Sequence, residues 1–117
     1  MWKLEPSEQW GKDAKHYDKK RPNELAAVLR NLERFVKLLN VSKNSKSAEA
    51  GYLHKEPHDV IAVDQKGGGS NLQQTRLYTY PVDQTKTLHL ITIGTKETQH
   101  SDIEYSKTFA DSFKAIT

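Results

Sequence analysis

Between Leu25 and Leu39 apolar residues return every three or four positions. Leu25, Val28, Leu29, Leu32, Phe35, Val36 and Leu39 form one stripe, the pattern of an amphipathic helix that buries a single face. Pro22 and Asn23 supply a start and Asn40 an end. Upstream, Trp10, Ala14 and Tyr17 fall on one side of a shorter helix opened by Pro6 or Ser7. It closes near Lys20, because Pro22 disfavours helical geometry in Arg21. So short a connection folds the two helices into an antiparallel hairpin.

Beyond the small polar residues 42–50 the period changes. Val60, Ile61, Ala62 and Val63 are a short run rich in β-branched residues, Leu72 to Tyr80 alternate, and Thr87 to Ile93 are again rich in β-branched residues. The GGGS stretch at 67–70 separates the first two segments and Pro81 to Lys86 the second pair, both short enough for antiparallel hairpins. Ser101 with Glu104 three residues on reads as a capping box, with Asp102 in the first turn. The helix it opens carries Ile103, Ser106, Phe109, Ala110, Phe113 and Ile116 on one face. The order α-α-β-β-β-α predicts a single α+β domain over residues 1–117. It comprises an N-terminal helical hairpin, an antiparallel sheet of three to four strands and a C-terminal helix, with the helices on one face of the sheet and the other face open.

Composition narrows the chemistry. With 117 residues and 35% hydrophobic content there is room for one thin core. The absence of cysteine excludes disulfides and thiolate metal sites. The first ten residues lack the apolar core of a signal peptide and no run approaches membrane-spanning length, so a soluble cytoplasmic protein without membrane contact is expected. The net charge of +3 is modest but uneven. Lys12, Lys15, Lys19, Lys20 and Arg21 crowd into ten residues with two aspartates, either as a solvated helix face or as a stripe that holds phosphates.

The alternation of the second strand puts Gln74, Arg76, Tyr78 and Tyr80 on one side. If Leu77 faces the helices, Arg76 stands on the open face. There its guanidinium can bind a phosphate bidentately and stabilise charge in a phosphoryl-transfer transition state, or simply join a cross-strand ion pair. His89 on the next strand either shares a face with Ile91 or opposes Arg76, and a structural role is the simpler reading. Lys96, Gln99 and His100 occupy the turn before the last helix, a place where backbone N–H groups favour anions. His54 and His58 have the i, i+4 spacing of a metal pair, but Pro57 between them argues against a helix, so no metal site is expected; either can serve as a general base. GGGS lacks the G-K-[ST] ending of a phosphate loop.

The TRLYTY strand, the LITIGTKETQHSDI passage and the α-α-β-β-β-α order together resemble the RelE/ParE superfamily of bacterial type II toxins, nearest its HigB-like branch. The resemblance implies a RelE-like fold and a ribosome-dependent mRNA endoribonuclease that inhibits translation, uses 2′-OH attack with no metal or other cofactor, and is silenced by a cognate antitoxin protein. Arg76 matches the family's phosphate-stabilising strand arginine, and Lys96 the basic residue after the glycine that ends the penultimate strand. His100 or His54 takes the acid or base role, with Tyr78 or Tyr80 as an alternative proton donor or base-stacking ring. The chain departs from the family at its last helix, where Ala110, Phe113 and Ile116 replace a terminal tyrosine or histidine. Lys12, Lys15, Lys19, Lys20, Arg21, Tyr80 and Gln99 would contact RNA. Two other readings stand beside this one: a ParE-like toxin that inhibits DNA gyrase without cutting, and a small RNA-binding regulatory domain.

Overall fold

A computed structural model describes residues 1–69 and 71–116, the side chain of Ile116 excepted; Ser70 of the GGGS turn and the last position of the apolar stripe therefore lie outside the described residues. The fold is α+β. Strand β1 (Lys3–Pro6) leads into helices α1 (Glu8–Lys20) and α2 (Pro22–Val41). Strands β2 (Leu53–Lys55), β3 (Ile61–Asp64), β4 (Thr75–Val82) and β5 (Thr87–Thr95) follow, and helix α3 (Gln99–Ile116) closes the order. The five strands make one sheet in the order β1-β5-β4-β3-β2.

The hairpin forms as its sequence dictates. Ser7 caps α1, its hydroxyl accepting from the Trp10 N–H at 3.0 Å. Arg21 alone connects the helices, and Pro22 sits in the first turn of α2, where a missing N–H costs nothing. The α2 stripe then packs Val28, Leu32, Phe35 and Leu39 against Ile61, Val63, Leu77, Leu88 and Ile93 of the sheet. Val28, Phe35, Leu77 and Leu88 are fully buried. Each such side chain contributes roughly 1.5–3 kcal/mol of burial free energy, so this layer dominates the stability.

The structure corrects three expectations. The sheet has five strands rather than three to four, because β1 pairs in parallel with β5 (Lys3 opposite Thr87, Pro6 opposite Leu90) and the three-residue β2 pairs antiparallel with β3. The helices do not share one face. α1 and α2 cover one side, while α3 covers the other, setting Ala110, Ile103, Phe109 and Phe113 over Val60, Ala62, Tyr78, Tyr80 and Ile91. The strands are apolar on both sides, so an exposed face would leave too much apolar surface in water. Finally, the capping box at the start of the last helix is Thr95 with Thr98, not Ser101 with Glu104; it caps the 3-10 turn Lys96–Thr98 that leads into α3.

Helix α1 also finishes an edge. β1 stops at Pro6, and the half of β5 beyond Leu90 has no strand on that side. The Ser7 hydroxyl donates to the Ile91 carbonyl at 2.6 Å. Asp13 Oδ2 then accepts from the Thr92 hydroxyl at 2.6 Å and the Ile93 N–H at 3.1 Å. Backbone groups that would otherwise be stranded at a sheet edge are thereby satisfied by a helix.

Candidate functional site

One row of residues crosses the sheet on the α3 side. Gly94 of β5 lies opposite Arg76 of β4, and Arg76 lies opposite Asp64 of β3. His54 of β2, opposite Ala62, reaches the row diagonally, its Nε2 2.6 Å from Asp64 Oδ2. His54 and Arg76 stay half-buried, whereas Asp64 is buried.

Asp64 is held from every side. Its N–H donates to the Tyr52 carbonyl at 2.9 Å, and its Oδ1 accepts from the Lys66 N–H at 2.7 Å. Its own carbonyl accepts from Asn31 Nδ2 at 2.8 Å, and the same amide reaches the Lys66 carbonyl at 2.9 Å. Asn31, fully buried on α2, thus fixes the end of β3 from beneath the sheet. A carboxylate so restrained fixes the ring it binds, and it favours the His54 tautomer with the proton on Nε2, leaving Nδ1 with a lone pair.

Arg76 Nε is buried without a hydrogen-bond partner, and so is the hydroxyl of Ser106 on α3. Unpaired buried donors of this kind are costly. Tyr78, expected on an open face, is 1% exposed. Burial pushes its phenol far above the ordinary range; Asp102 adds to the rise and Arg76 opposes it. Tyr80 is also covered, stacked on His89 at 6.3 Å between ring centroids and tilted against Phe113 at 6.1 Å. His89 is buried among Tyr80, Phe109 and Phe113 on the side it shares with Ile91, and burial lowers its pKa, with Glu5 opposing. Its place is structural.

At the Gly94 end the last helix descends very close to the strand. A Cβ on Gly94 would fall 1.9 Å from Asp102 Oδ2 and 2.5 Å from Thr98 Oγ1, so only glycine admits this approach. The Thr98 hydroxyl donates to Asp102 Oδ2 at 2.7 Å. Burial raises the pKa of Asp102, and the neighbouring Asp13 carboxylate raises it further. Lys96 and His100 are exposed and Gln99 half-buried in the turn just past this point. Lys96 lies beside Gln73 and Gln74, which lead into β4.

The basic stripe runs along α1 with Lys12, Lys15, Lys19 and Lys20 exposed and Arg21 half-buried at the helix end. Because α1 lies at the β5 edge, a cleft of about 540 Å³ opens between it and the start of α3, with Arg21, His16 and Tyr105 on its walls and Gly94 on its floor. The row of His54, Asp64 and Arg76 and the Lys96–His100 turn lie at one end of the sheet, and of the basic stripe Arg21 reaches the cleft beside Gly94. Sequence reasoning missed Asp64 and Asn31. The available signal for Asp64 was a carboxylate closing the apolar run Val60–Val63. His58 lies away from this row, its Nδ1 2.7 Å from Asp111 Oδ1 of α3. Among the described residues no group of three or more histidine, aspartate or glutamate side chains is placed to hold a metal ion, and no helix is long and apolar enough to cross a membrane. Compared with known proteins, the chain matches no family model, no curated protein and no solved structure.

Proposed function

We propose that the chain is the toxin of a bacterial type II toxin–antitoxin pair, an endoribonuclease that cuts mRNA on the ribosome and is silenced by a partner antitoxin. The row of His54, Asp64 and Arg76 carries this reading. RNA cleavage by 2′-OH attack needs a base at the ribose, a cation at the phosphate and an acid at the 5′-oxygen. His54 Nδ1 accepts the 2′-OH proton, and Asp64 stabilises the imidazolium that results. The guanidinium of half-buried Arg76 binds the phosphate as the 2′-oxygen adds and the P–O5′ bond breaks. His100 or Lys96, exposed beyond β5, returns a proton to the departing oxygen. The α1 lysines with Arg21 hold the flanking backbone through phosphate contacts, a salt-sensitive attraction. Tyr78 is sealed under α3 and does not touch RNA.

The test is to induce the chain in bacteria and map new 5′ ends of ribosome-bound mRNA beside an Arg76→Ala control. New ends at the decoding site that vanish in the control support the nuclease. DNA damage without such ends would assign the toxin to gyrase instead.

A further inference from the structure

Between β2 and β3 the chain makes the 3-10 turn Pro57–Asp59, and part of it is strained. His58 and Asp59 follow one another at φ 63° and φ 67°, the left-handed region that residues with a side chain enter at a cost. Both are tied to the far end of α3. His58 Nδ1 lies 2.7 Å from Asp111 Oδ1. The Lys114 ammonium donates to the His58 carbonyl at 3.0 Å and meets Asp59 Oδ2 at 3.0 Å. These four residues are all exposed, and ion pairs in contact with water are individually weak.

The rest of the grip that α3 has on the sheet is also incomplete. Ala110 is fully buried but small, and Ile103, Phe109 and Phe113 are only partly buried. Ser106 carries a buried hydroxyl without a partner, so docking strips water from it and returns no hydrogen bond. Helix α2, on the opposite face, instead buries Val28, Phe35 and Leu39 in full. At its start α3 is better held, with the Thr98 hydroxyl on Asp102 and the Asp102 carboxylate close above Gly94.

We propose that α3 is a lid: when its clasp on the 57–59 turn opens, it lifts from the sheet at its C-terminal end while its first turn stays anchored. The strained turn favours this motion, because His58 and Asp59 can leave the left-handed region once α3 no longer holds them. Closed, the helix covers Tyr78 and Tyr80 of β4 and packs Phe109 and Phe113 on His89. Open, it uncovers the stretch of β4 that continues from Arg76 and admits a longer piece of substrate to that face. The closed form is then the resting state of the site. This consequence rests on the nuclease reading; the motion itself does not.

The chain has no cysteine, so a single introduced thiol reports the motion. Ser106→Cys should react with a thiol reagent at least tenfold faster than Val28→Cys, which is buried under α2. Adding Asp111→Ala with Lys114→Ala should speed the first about tenfold more and leave the second unchanged. Asp59→Gly on top of these relaxes the turn and should slow the reaction about threefold. Hydrogen exchange of the native chain repeats the comparison without a substitution, since an undocked helix of this length is marginal in water and its amides exchange. A common rate for α3 and α2, or a clasp variant that speeds both alike, would overturn the lid. On ribosome-bound mRNA the Asp111→Ala, Lys114→Ala chain should cut about threefold faster than the native one. Faster labelling without faster cutting sinks the gating alone, and a lid that opens in a chain that cuts nothing sinks the nuclease alone.

Discussion

The two faces of the sheet do opposite work. Under α1 and α2, Phe35, Val28, Leu77 and Leu88 are fully buried, and the buried polar Asn31 of α2 is hydrogen-bonded. Under α3 the apolar cluster is smaller and interrupted by Tyr78, Tyr80 and His89, with unpartnered polar atoms on Arg76, Ser106 and Glu56. A thin-cored chain can leave polar groups unsatisfied on one face only when the other supplies the stability. The division teaches where to look for function: on the side that packs less well.

Substitutions can break that contrast. The largest effect should come from Phe35→Ala on the well-packed face, which removes a fully buried ring and should cost about 3–5 kcal/mol in denaturant unfolding. A loss under about 1 kcal/mol would show that the two faces are not unequal. Arg76→Ala should do the reverse, lowering mRNA cleavage by ~10²–10³ while the unfolding midpoint hardly moves. Full cleavage by that variant removes Arg76 from the chemistry. Gly94→Ala drives a methyl into Asp102 and should destabilise by about 1–3 kcal/mol, and Asp102→Ala in the same chain should recover most of it. Additive losses would show that the close approach at Gly94 is unimportant. Ser106→Ala deletes a buried hydroxyl with no partner and should leave stability unchanged or raise it by up to ~1 kcal/mol, where a loss would mean the hydroxyl is satisfied in solution.

The smallest effect is a pH dependence. Burial holds the folded-state pKa of His89 below its ordinary value, so the folded chain binds fewer protons than the unfolded one. Its contribution is complete above the ordinary histidine range near ~6.5 and is lost as pH falls below it. Unfolding of the native chain and of His89→Phe, compared at about pH 7.5 and about pH 5.5, should show a shallower decline in the variant. Equal slopes would place the acid sensitivity elsewhere.

How legible all this was in the sequence depended on how local each cause is. α2 followed from its stripe and Pro22, and β4 and β5 from alternation and β-branched content, since these patterns lie within one element. β1 was invisible: all four of its residues are exposed and its partner lies near the other end of the chain. The position of α3 was misjudged because Tyr78 and Tyr80 read as binding rings on an open face. The near-continuous apolar runs Val60–Val63 and Leu88–Ile93 were the contrary signal, since strands buried on both sides lose clean alternation. At the site, Arg76 and His54 were legible as side chains, but their neighbourhood was not. It depends on the β2–β3–β4 register and on Asn31 reaching from α2 to the end of β3.

The parallel pairing of β1 with β5 has a consequence in time. Lys3 finds its partner only in Thr87, so the first strand made waits for nearly the last. Contacts so distant in sequence are slow to form, and during synthesis the first strand stays unpaired until β5 has emerged. Gly94, on that same β5, admits the close descent of α3 that shapes this end of the site. The Gly94 end of the site is therefore assembled late, and a nascent chain truncated before β5 lacks that end and the turn that follows it.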